Sequence, residues 1–469
     1  MRKKKLAAWL LSILCAIAFF ACGIPGGGEP VIPPEDGGKE AVAPPKENKP
    51  VEETPVWNKE PTVTGSFFED FASGISTSVW EICNQKWGLA NNGTSPANVL
   101  FSTSRALAAA EGCESGGIAV LRSTGDYHET PSKRRQGAAI ITRQAFGPGK
   151  YEVRMKVLPR LGQCTAAWTF YDGGGSTAET NKYSEIDIEM PMHADFRKWS
   201  GTSYKYFYDW QVLAERGTAE AETDGVNDGQ WHTYAFEWRT DEANGDSAVV
   251  WYMDGEKMFE IRDYTPRYTA TFWIGSWFPN DAGWVGSPAF EEAYMYVDWV
   301  KITKYGDPVL AGASGNGSGG SPVNLGSDPI PQNQYVANPA FKQFADGNFA
   351  AWEKSGSADS GGASSVLLGG GSKLTQFIAA QYPGYSFDLN VRARVTGGTG
   401  KLKIYAEYMF GSVRMGKSEE LLFENSGAAA DKTLNFTIPK PGASTDVRIV
   451  AETESGVAAT IERIELYLK

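Results

Sequence analysis

The sequence predicts an all-β protein made of a larger antiparallel sandwich or jelly roll followed by a second, smaller β-sandwich. Three observations support this fold class. Apolar and polar residues alternate over many short runs, Gly/Pro/Asn/Asp clusters separate these runs, and no long stretch has helical periodicity. The 469 residues include 53 Gly, 23 Phe, 20 Tyr and 15 Trp, a composition typical of β-rich folds with many turns.

The N-terminus has the features of an export signal. The basic stretch "MRKKK" precedes an apolar run of 16 residues, "LAAWLLSILCAIAFFA", which is short for a membrane span. Ala21 then precedes Cys22, as in a bacterial lipoprotein signal, where the cysteine becomes the lipidated first residue. We therefore expect a signal peptide over 1–21 and a lipid anchor on Cys22. This places the protein in the cell envelope, at the outer membrane and facing outside the cytoplasm, with cleavage after Ala18 as the alternative.

Composition also sets the domain boundaries. Residues 22–60 are rich in Pro, Gly and charge with few large apolar groups, so we expect a tether. Residues 307–334 form a Gly/Ser/Pro stretch that predicts a flexible linker. Two folded bodies remain, over 61–306 and 335–469.

Alternating runs fill both bodies. "GKYEVRMKV", "CTAAWTFY", "WHTYAFEW" and "YMYVDWVKIT" predict strands in the larger body. In "AVVWYMDGEKMFEI", Asp254 and Gly255 predict a two-residue hairpin turn, because both positions need positive φ. "YSFDLNVRARV", "KLKIYAEYMF" and "ATIERIELYL" predict strands in the smaller body.

Charge and cysteine content restrict the partners. Removal of the first 21 residues leaves 40 basic against 56 acidic residues, a net charge of −16, which argues against nucleic acid and against strongly anionic glycans. A neutral partner and a monomer are expected. Three cysteines, Cys83, Cys113 and Cys164, leave any disulfide pairing open, and with three histidines in the chain no His/Cys metal site or cofactor is expected. Whether a structural calcium ion binds stays open.

One segment, "KYSEIDIEMPM" over 182–192, concentrates acidic residues. On a strand, Glu185, Asp187 and Glu189 point to one face, while the residues between them point to the other. Like charges along one face repel. The segment is therefore either an acidic solvent-exposed face or a site that uses paired carboxyl groups. Glycoside hydrolysis with retention needs two carboxyl groups about 5–5.5 Å apart, and a third negative charge raises the pKa of a neighbour.

The sequence "EIDIE" resembles the E-x-D-x-E signature of glycoside hydrolase family 16, the β-jelly-roll enzymes that include lichenases, laminarinases and xyloglucan transferases. "WHTYAFEW", "WYMDGE" and "FWIGSWFPNDAGWVGSPAF" resemble further segments of that family in order and spacing. The resemblance covers about residues 64–306 and implies a concanavalin-A-like jelly roll. After the signature, however, this chain has "MPMHADFRKWSG", which departs from the family pattern in a region that shapes the cleft.

The resemblance implies a role for each acid. Glu185 would be the nucleophile, Glu189 the acid/base, and Asp187 the residue that orients and tunes them. It also implies a retaining endo-β-glucanase that hydrolyses β-1,3-1,4- or β-1,3-linked polysaccharide outside the cell. Two alternatives remain, a transglycosylase that uses the same residues and a non-catalytic surface glycan-binding lipoprotein.

Aromatic side chains around the acidic segment are candidate sugar contacts, because aromatic rings bind the apolar faces of neutral sugars. By resemblance, Trp168 and Trp277 would stack on sugar. Trp210 and Tyr183 lie among further aromatic residues close to the motif.

The smaller body weakly resembles a carbohydrate-binding module, with a spacer or assembly domain as the alternative. Its candidate sugar contacts are Trp352, Tyr382, Tyr385 and Tyr408. The same body contains "GSVRMGKS", which satisfies the phosphate-binding P-loop pattern. The residues after it are too few and too strand-like for the required helix, so we reject nucleotide binding.

Overall fold

The computed structural model describes residues 57–86, 92–128, 135–158, 160–191, 198–222, 226, 228–312, 319–378, 384–439 and 446–469. The predicted signal peptide, Cys22 and most of the tether lie outside these residues, as does Tyr382. Among the described residues, no helix is long and apolar enough to cross a membrane.

The larger body is built almost entirely of strands, as predicted. They are β1 (Val63–Glu69), β2 (Trp80–Ile82), β3 (Gly93–Thr94), β4 (Val99–Ser102), β5 (Ile118–Thr124), β6 (Gln136–Phe146), β7 (Gly149–Lys156), β8 (Cys164–Asp172), β9 (Tyr183–Pro191), β10 (Lys198–Asp209), β11 (Leu213–Glu222), β12 (His232–Asp241), β13 (Asp246–Met253), β14 (Glu256–Ile261), β15 (Ala270–Trp277), β16 (Glu292–Tyr305) and β17 (Val323–Asn324). Two short α-helices, α1 (Arg105–Glu111) and α2 (Ala282–Val285), and 3-10 turns at Pro96–Asn98 and Glu242–Asn244 complete it.

These strands form two facing layers. The front layer has the order β6-β15-β8-β9-β10-β11, with every neighbouring pair antiparallel. The back layer has the order β14-β13-β12-β7-β16, and β16 also pairs with β1 and β5. A large apolar core that includes Ile186, Phe236 and Trp251 fills the space between the layers. The predicted jelly-roll sandwich is thus confirmed.

The predicted hairpin turn between β13 and β14 is present. Asp254 has φ of 51° and Gly255 has φ of 85°, so both central residues adopt the left-handed conformation that such a turn requires. Met253 and Glu256 form the strand pair next to the turn, and Tyr252 and Lys257 form the next pair.

The smaller body is a second sandwich. Its strands are β18 (Phe344–Ala345), β19 (Asn348–Phe349), β20 (Glu353–Ser355), β21 (Ala358–Ser360), β22 (Val366–Leu368), β23 (Lys373–Ile378), β24 (Ser386–Gly397), β25 (Leu402–Phe410), β26 (Val413–Lys417), β27 (Leu421–Phe423), β28 (Ala430–Thr437), β29 (Asp446–Thr453) and β30 (Ala458–Leu468). One sheet has the order β20-β23-β29-β25-β26 with β27 beside β25, and the other has the order β21-β22-β30-β24-β28.

The P-loop-like segment and the candidate sugar contacts of the smaller body both have structural roles. The segment "GSVRMGKS" forms the turn and second strand of the β25–β26 hairpin, so it is not a strand–loop–helix phosphate site. Trp352 and Tyr408 are only 6% and 7% exposed and belong to the apolar core, and Tyr385 packs against that core. Trp352 and Tyr408 are therefore not surface platforms for sugar.

The predicted linker differs from the flexible segment that its composition suggests. Val323 and Asn324 pair in parallel with Leu100 and Phe101 of β4. Ile330 is 6% exposed and packs in an apolar cluster of the larger body together with Leu325. These apolar residues and the strand pairing hold the described part of the segment against the larger body.

Candidate active site

The three acids of β9 lie at the centre of the outer face of the front layer. Glu185 is opposite Phe170 of β8 and Tyr204 of β10. Asp187 is opposite Trp168 and Thr202 in the same two strands, and Glu189 is opposite Ala166 and Ser200. The predicted segregation of the acidic face is therefore present in the fold.

The other face of β9 explains why the strand keeps this orientation. Ile186 and Ile188 are at most 1% exposed in the core between the layers. The indole of Trp251 donates a hydrogen bond of 2.8 Å to the carbonyl of Asp187. A register shift of one residue would bury the carboxylates in the core, so the apolar residues fix the acids on the outside.

A cleft of about 380 Å³ lies over this face. It is lined by the three acids together with Gln85, Ala166, Trp168, Phe170, Trp273 and Trp277. The rings of Trp168 and Trp273 stack with their centroids 5.3 Å apart. The acids thus share one cleft with aromatic surfaces that can pack against sugar rings.

Burial controls the ionisation of the acids. It raises the pKa of Glu185 to about 7, although hydrogen bonds with Tyr183 and Asp187 oppose the increase. Burial and the neighbouring charge of Glu185 raise the pKa of Glu189 to about 7. Asp187 is 5% exposed, and burial together with the charges of Glu185 and Glu189 raises its pKa well above the usual value of an aspartate. Burial therefore favours the protonated form of these carboxyl groups up to a higher pH than for exposed acids.

Two side chains adjust this set of carboxyl groups. The Tyr183 hydroxyl donates a hydrogen bond to Glu185 Oε2. Arg216 of β11 is opposite Tyr204, and its positive charge lowers the pKa of Glu185, Asp187 and Glu189. Its guanidinium lies 4.7 Å from the ring centroid of Trp210. Arg216 thus partly offsets the repulsion among the acids.

The structure brings most of the predicted residues together. Trp168 and Trp277 line the cleft with the acids, and Tyr183 contacts Glu185 directly. Trp210 is not among the lining residues; it is 60% exposed at the turn between β10 and β11 and packs against Phe207 at 4.8 Å. The pairing of β10 with β11 places the turn that holds Trp210 outside the cleft that the acids line.

Several residues of the site were missed from the sequence. Trp273 precedes Trp277 by four positions on β15, so the period of a strand could have placed both on one face. Phe170 could have been found by the same argument from Trp168 on β8. Gln85, in the loop after β2, and Arg216 carry no comparable signal, because their approach to the site depends on long-range pairing.

Other candidate groups have ordinary roles. Cys83, Cys113 and Cys164 are free thiols. His232 lies between two carboxylates, at 2.6 Å from Asp254 and 3.2 Å from Asp228, as a structural histidine would. In the part of the chain that the structure describes, no group of three or more His, Cys, Asp and Glu side chains could hold a metal ion.

Comparisons with known proteins agree with this geometry. Residues 110–301 match the family model described as "Glycosyl hydrolases family 16". The beta-glucanase of Bacillus subtilis (strain 168) is 29% identical over 165 residues, which cover 34% of this chain and 60% of that protein. The beta-glucanase of Fibrobacter succinogenes is 25% identical over 204 residues, which cover 41% of this chain and 52% of that protein. The chain thus spans half to three fifths of the length of these curated relatives.

A solved structure, a prokaryotic beta-1,3-1,4-glucanase (lichenase) derived from a mouse hindgut metagenome, aligns with 52% of this chain and 99% of its own at 24% identity. The TM-score of this alignment is 0.38. The larger body is a β-jelly roll whose outer face holds three carboxyl groups in an aromatic cleft. Residues 110–301 match the glycoside hydrolase family 16 model, so the resemblance found in the sequence is confirmed for this part of the chain.

Proposed function

We propose that the protein is a retaining endo-β-glucanase that hydrolyses β-1,3-1,4- or β-1,3-linked polysaccharide. The observation that carries this proposal is the set of carboxyl groups of β9, which line an aromatic cleft with pKa values of about 7 for Glu185 and Glu189. Retaining hydrolysis needs one carboxylate and one carboxylic acid at the same pH, and pKa values near neutrality make both forms accessible.

In the first step, a carboxylate oxygen of Glu185 attacks the anomeric carbon, and the bond from that carbon to the glycosidic oxygen breaks. The carboxyl proton of Glu189 passes to the departing oxygen. Asp187, whose raised pKa keeps it protonated, donates the hydrogen bond that it shares with Glu185 and holds that carboxylate in place. The products are a glycosyl ester on Glu185 and a shortened glucan with a free hydroxyl group.

In the second step, Glu189, now ionised, takes a proton from water. The water oxygen attacks the anomeric carbon, and the ester bond to Glu185 breaks. Glu185 leaves as a carboxylate and Glu189 is protonated again, so the enzyme returns to its starting state. Two inversions at the anomeric carbon give net retention.

The surface around the acids supports cleavage inside a neutral chain. The residues that line the cleft are acidic, aromatic or uncharged, and the aromatic rings offer apolar faces without a positive charge. Because β9 lies between β8 and β10, the sheet surface continues on both sides of the acids. A glucan can therefore extend in both directions from the bond that is cut.

We also propose that the enzyme works at the cell envelope, held by a lipid on Cys22 with the catalytic body outside the cytoplasm. The signal-like sequence before Cys22 supports this location. A neutral, extracellular polysaccharide is the substrate class that fits both the acidic surface and this location.

The test is reducing-end release from lichenan, barley β-glucan, laminarin, xyloglucan, β-galactan and agarose by the purified protein and its Glu185→Gln variant. We expect release from one of the β-glucans and its loss in the variant. NMR of the first product should show the β-anomer before mutarotation, as retention requires.

Two results would reject the proposal. Equal release by the wild type and Glu185→Gln would remove Glu185 from the mechanism. Absence of release from every glycan, with binding retained by both proteins, would leave a surface glycan-binding protein.

A further inference from the structure

Arg160 occupies an unusual position between the two bodies. It lies in the turn that joins β7 to β8 and is 7% exposed. Its Nη2 donates a hydrogen bond of 2.9 Å to the carbonyl of Tyr335, which belongs to the smaller body. Its guanidinium lies 4.7 Å from the ring centroid of Tyr335 and 5.7 Å from that of Phe290.

The guanidinium of Arg160 is a buried charge. Among the described residues, no carboxylate lies within ion-pair distance of it, and burial lowers its pKa to about 10, so the group still carries its charge at neutral pH. Burial of a cation costs free energy, and a carbonyl and two aromatic rings offset only part of that cost here. Its contacts therefore point to a positional function.

The turn that carries Arg160 is locked against the segment 281–290. The amide of Gly162 donates a hydrogen bond of 2.5 Å to the carbonyl of Val285. A Cβ added at Gly162, where φ is +91°, would lie 2.2 Å from the backbone nitrogen of Pro288. This close approach leaves little space for independent movement of the turn and the segment.

The segment 281–290 in turn supports the cleft. Val285 is 1% exposed and packs in one cluster with Trp168 and Trp273. Trp284 meets Trp277 edge to face, with the ring centroids 6.2 Å apart. Trp277 lines the cleft beside the acids, so displacement of this segment would move an aromatic wall of the site.

Tyr335 and Asn338 of the smaller body make the contacts with Arg160 and with the chain after segment 281–290. The amide of Tyr335 donates to the carbonyl of Leu466 in β30, and the Tyr335 ring belongs to the core of the smaller body. The amide of Asn338 donates a hydrogen bond of 2.7 Å to Glu291 Oε1, directly after the segment 281–290. The smaller body thus contacts this part of the chain at two points, Arg160 and Glu291.

We propose that Arg160 is a positioning residue through which the smaller body fixes the segment 281–290, and with it Trp277, in the geometry that binds glucan. The smaller body is then part of the substrate-binding architecture of the larger one. The proposal rests on the proposed function, because its kinetic consequence is a change in substrate binding. It predicts that loss of the guanidinium weakens binding while the acids of β9, which Arg160 does not contact, continue to act.

The test uses the complete chain and the variants Arg160→Met and Arg160→Lys. Methionine keeps the apolar stem without the donors, and lysine keeps a donor and the charge. We expect Arg160→Met to raise KM for the preferred glucan about tenfold with kcat within about twofold, which is the pattern of lost uniform binding. Hydrogen exchange of residues 281–290 should become faster in the same variant, and Arg160→Lys should recover part of both properties.

Tyr335→Phe is the matched control. It keeps the carbonyl and the ring that contact Arg160 and removes a hydroxyl for which the described atoms offer no hydrogen-bond partner. We expect its KM and its exchange over 281–290 to equal those of the wild type.

Unchanged KM and unchanged exchange over 281–290 in Arg160→Met would overturn the proposal. A lower melting temperature with an unchanged KM would also overturn it, because it would show a structural role alone. If Arg160→Met does not fold, the same measurements on Arg160→Lys decide. If the wild type hydrolyses no glycan, the proposed function fails separately, and hydrogen exchange alone then supports or overturns the coupling.

Discussion

Both bodies bury carboxylates on a β-strand, with opposite effects on their ionisation. In the smaller body, Glu407 of β25 has a side chain that is 2% exposed, and it accepts a hydrogen bond of 2.6 Å from Arg448 Nε and one of 3.2 Å from Arg414 Nη1. Burial alone would raise the pKa of Glu407, but the hydrogen bonds from the two arginines outweigh it and the pKa is lowered.

The acidic strand of the larger body has the reverse balance. Burial raises the pKa of Glu185 and Glu189 to about 7, and the charge of exposed Arg216 opposes this only in part. The difference shows how the surroundings distinguish a carboxylate that stabilises the fold from a carboxyl group that can take part in catalysis. A cation in direct contact fixes the charge, whereas burial beside other acids leaves a proton available for transfer.

The largest expected effect comes from Glu185→Gln, which removes one carboxylate from the acidic strand. We expect kcat to fall by roughly 10³-fold or more, because the nucleophile is lost. The melting temperature should stay the same or rise, since burial disfavours the charged form of Glu185 and the variant removes that charge. Glucan hydrolysis and thermal unfolding, measured on the same preparations, check both expectations.

Glu407→Gln is the control for this result, because it neutralises a buried acid in the core strand β25 of the smaller body, outside the cleft. Its kcat should match that of the wild type. A loss of activity as large as that of Glu185→Gln would contradict the distinction between the two acids.

We expect Glu407→Gln to lower the free energy of unfolding and to leave activity unchanged. The substitution takes from Arg448 and Arg414 the carboxylate that both contact, and a broken buried ion pair usually costs several kcal/mol. Because the arginine side chains are 32% and 57% exposed, water can solvate them, and we expect a loss of only about 1–2 kcal/mol. Urea denaturation followed by circular dichroism measures it, and an unchanged midpoint would show that the pair contributes little.

The two sites should also give opposite dependences of stability on pH. Glu185 and Glu189 have raised pKa values, so the folded protein binds more protons than the unfolded chain between about pH 4.5 and 7. Their contribution to the free energy of unfolding therefore falls as pH rises through this window. Glu407 has a lowered pKa, so its contribution is present above its unfolded pKa and is lost as pH falls.

Denaturation of the wild type, Glu185→Gln/Glu189→Gln and Glu407→Gln at about pH 3, 4.5, 6 and 7.5 checks these signs, and the lowest pH lies in the window where the Glu407 contribution is lost. The double variant should gain stability relative to the wild type as pH rises. Glu407→Gln should approach the wild type as pH falls. The same slope for both variants would contradict the assignment of the shifts.

The smallest expected effect comes from Arg216→Gln. Removal of this positive charge should raise the pKa of the acids and shift the pH–rate profile towards higher pH, by about half a unit, because the arginine is exposed and screened. The shift should shrink at high salt. Arg216→Lys keeps the charge and should show no shift. An equal shift in both variants would contradict the charge effect and indicate that the geometry of the arginine side chain matters instead.

The segregation of the acidic strand could be predicted from the sequence alone. The alternation in "SEIDIE" is local, so it assigns Glu185, Asp187 and Glu189 to one face whatever the neighbouring strands are. The Asp254-Gly255 turn is equally local, because the required positive φ belongs to these two residues. The all-β class follows from many such short-range patterns.

Contacts between distant strands decided the rest. Trp210 and Trp277 both looked like sugar platforms, but strand pairing places Trp277 in the cleft and Trp210 at an exposed turn. Composition predicted a flexible linker, yet Val323 pairs with β4 and Ile330 is buried against the larger body. Local sequence cannot encode these outcomes, because they depend on which surfaces meet after folding.

The chemistry of the acids depends on both levels. Sequence alone determined that three carboxyl groups share one face of a strand. Only the tertiary structure decided that, among the described residues, these acids have no direct arginine contact of the kind that Glu407 has, and that they line a cleft with aromatic residues of β8 and β15. The reason is physical: a pKa reports the solvent and charges around a group, and strands distant in sequence supply both.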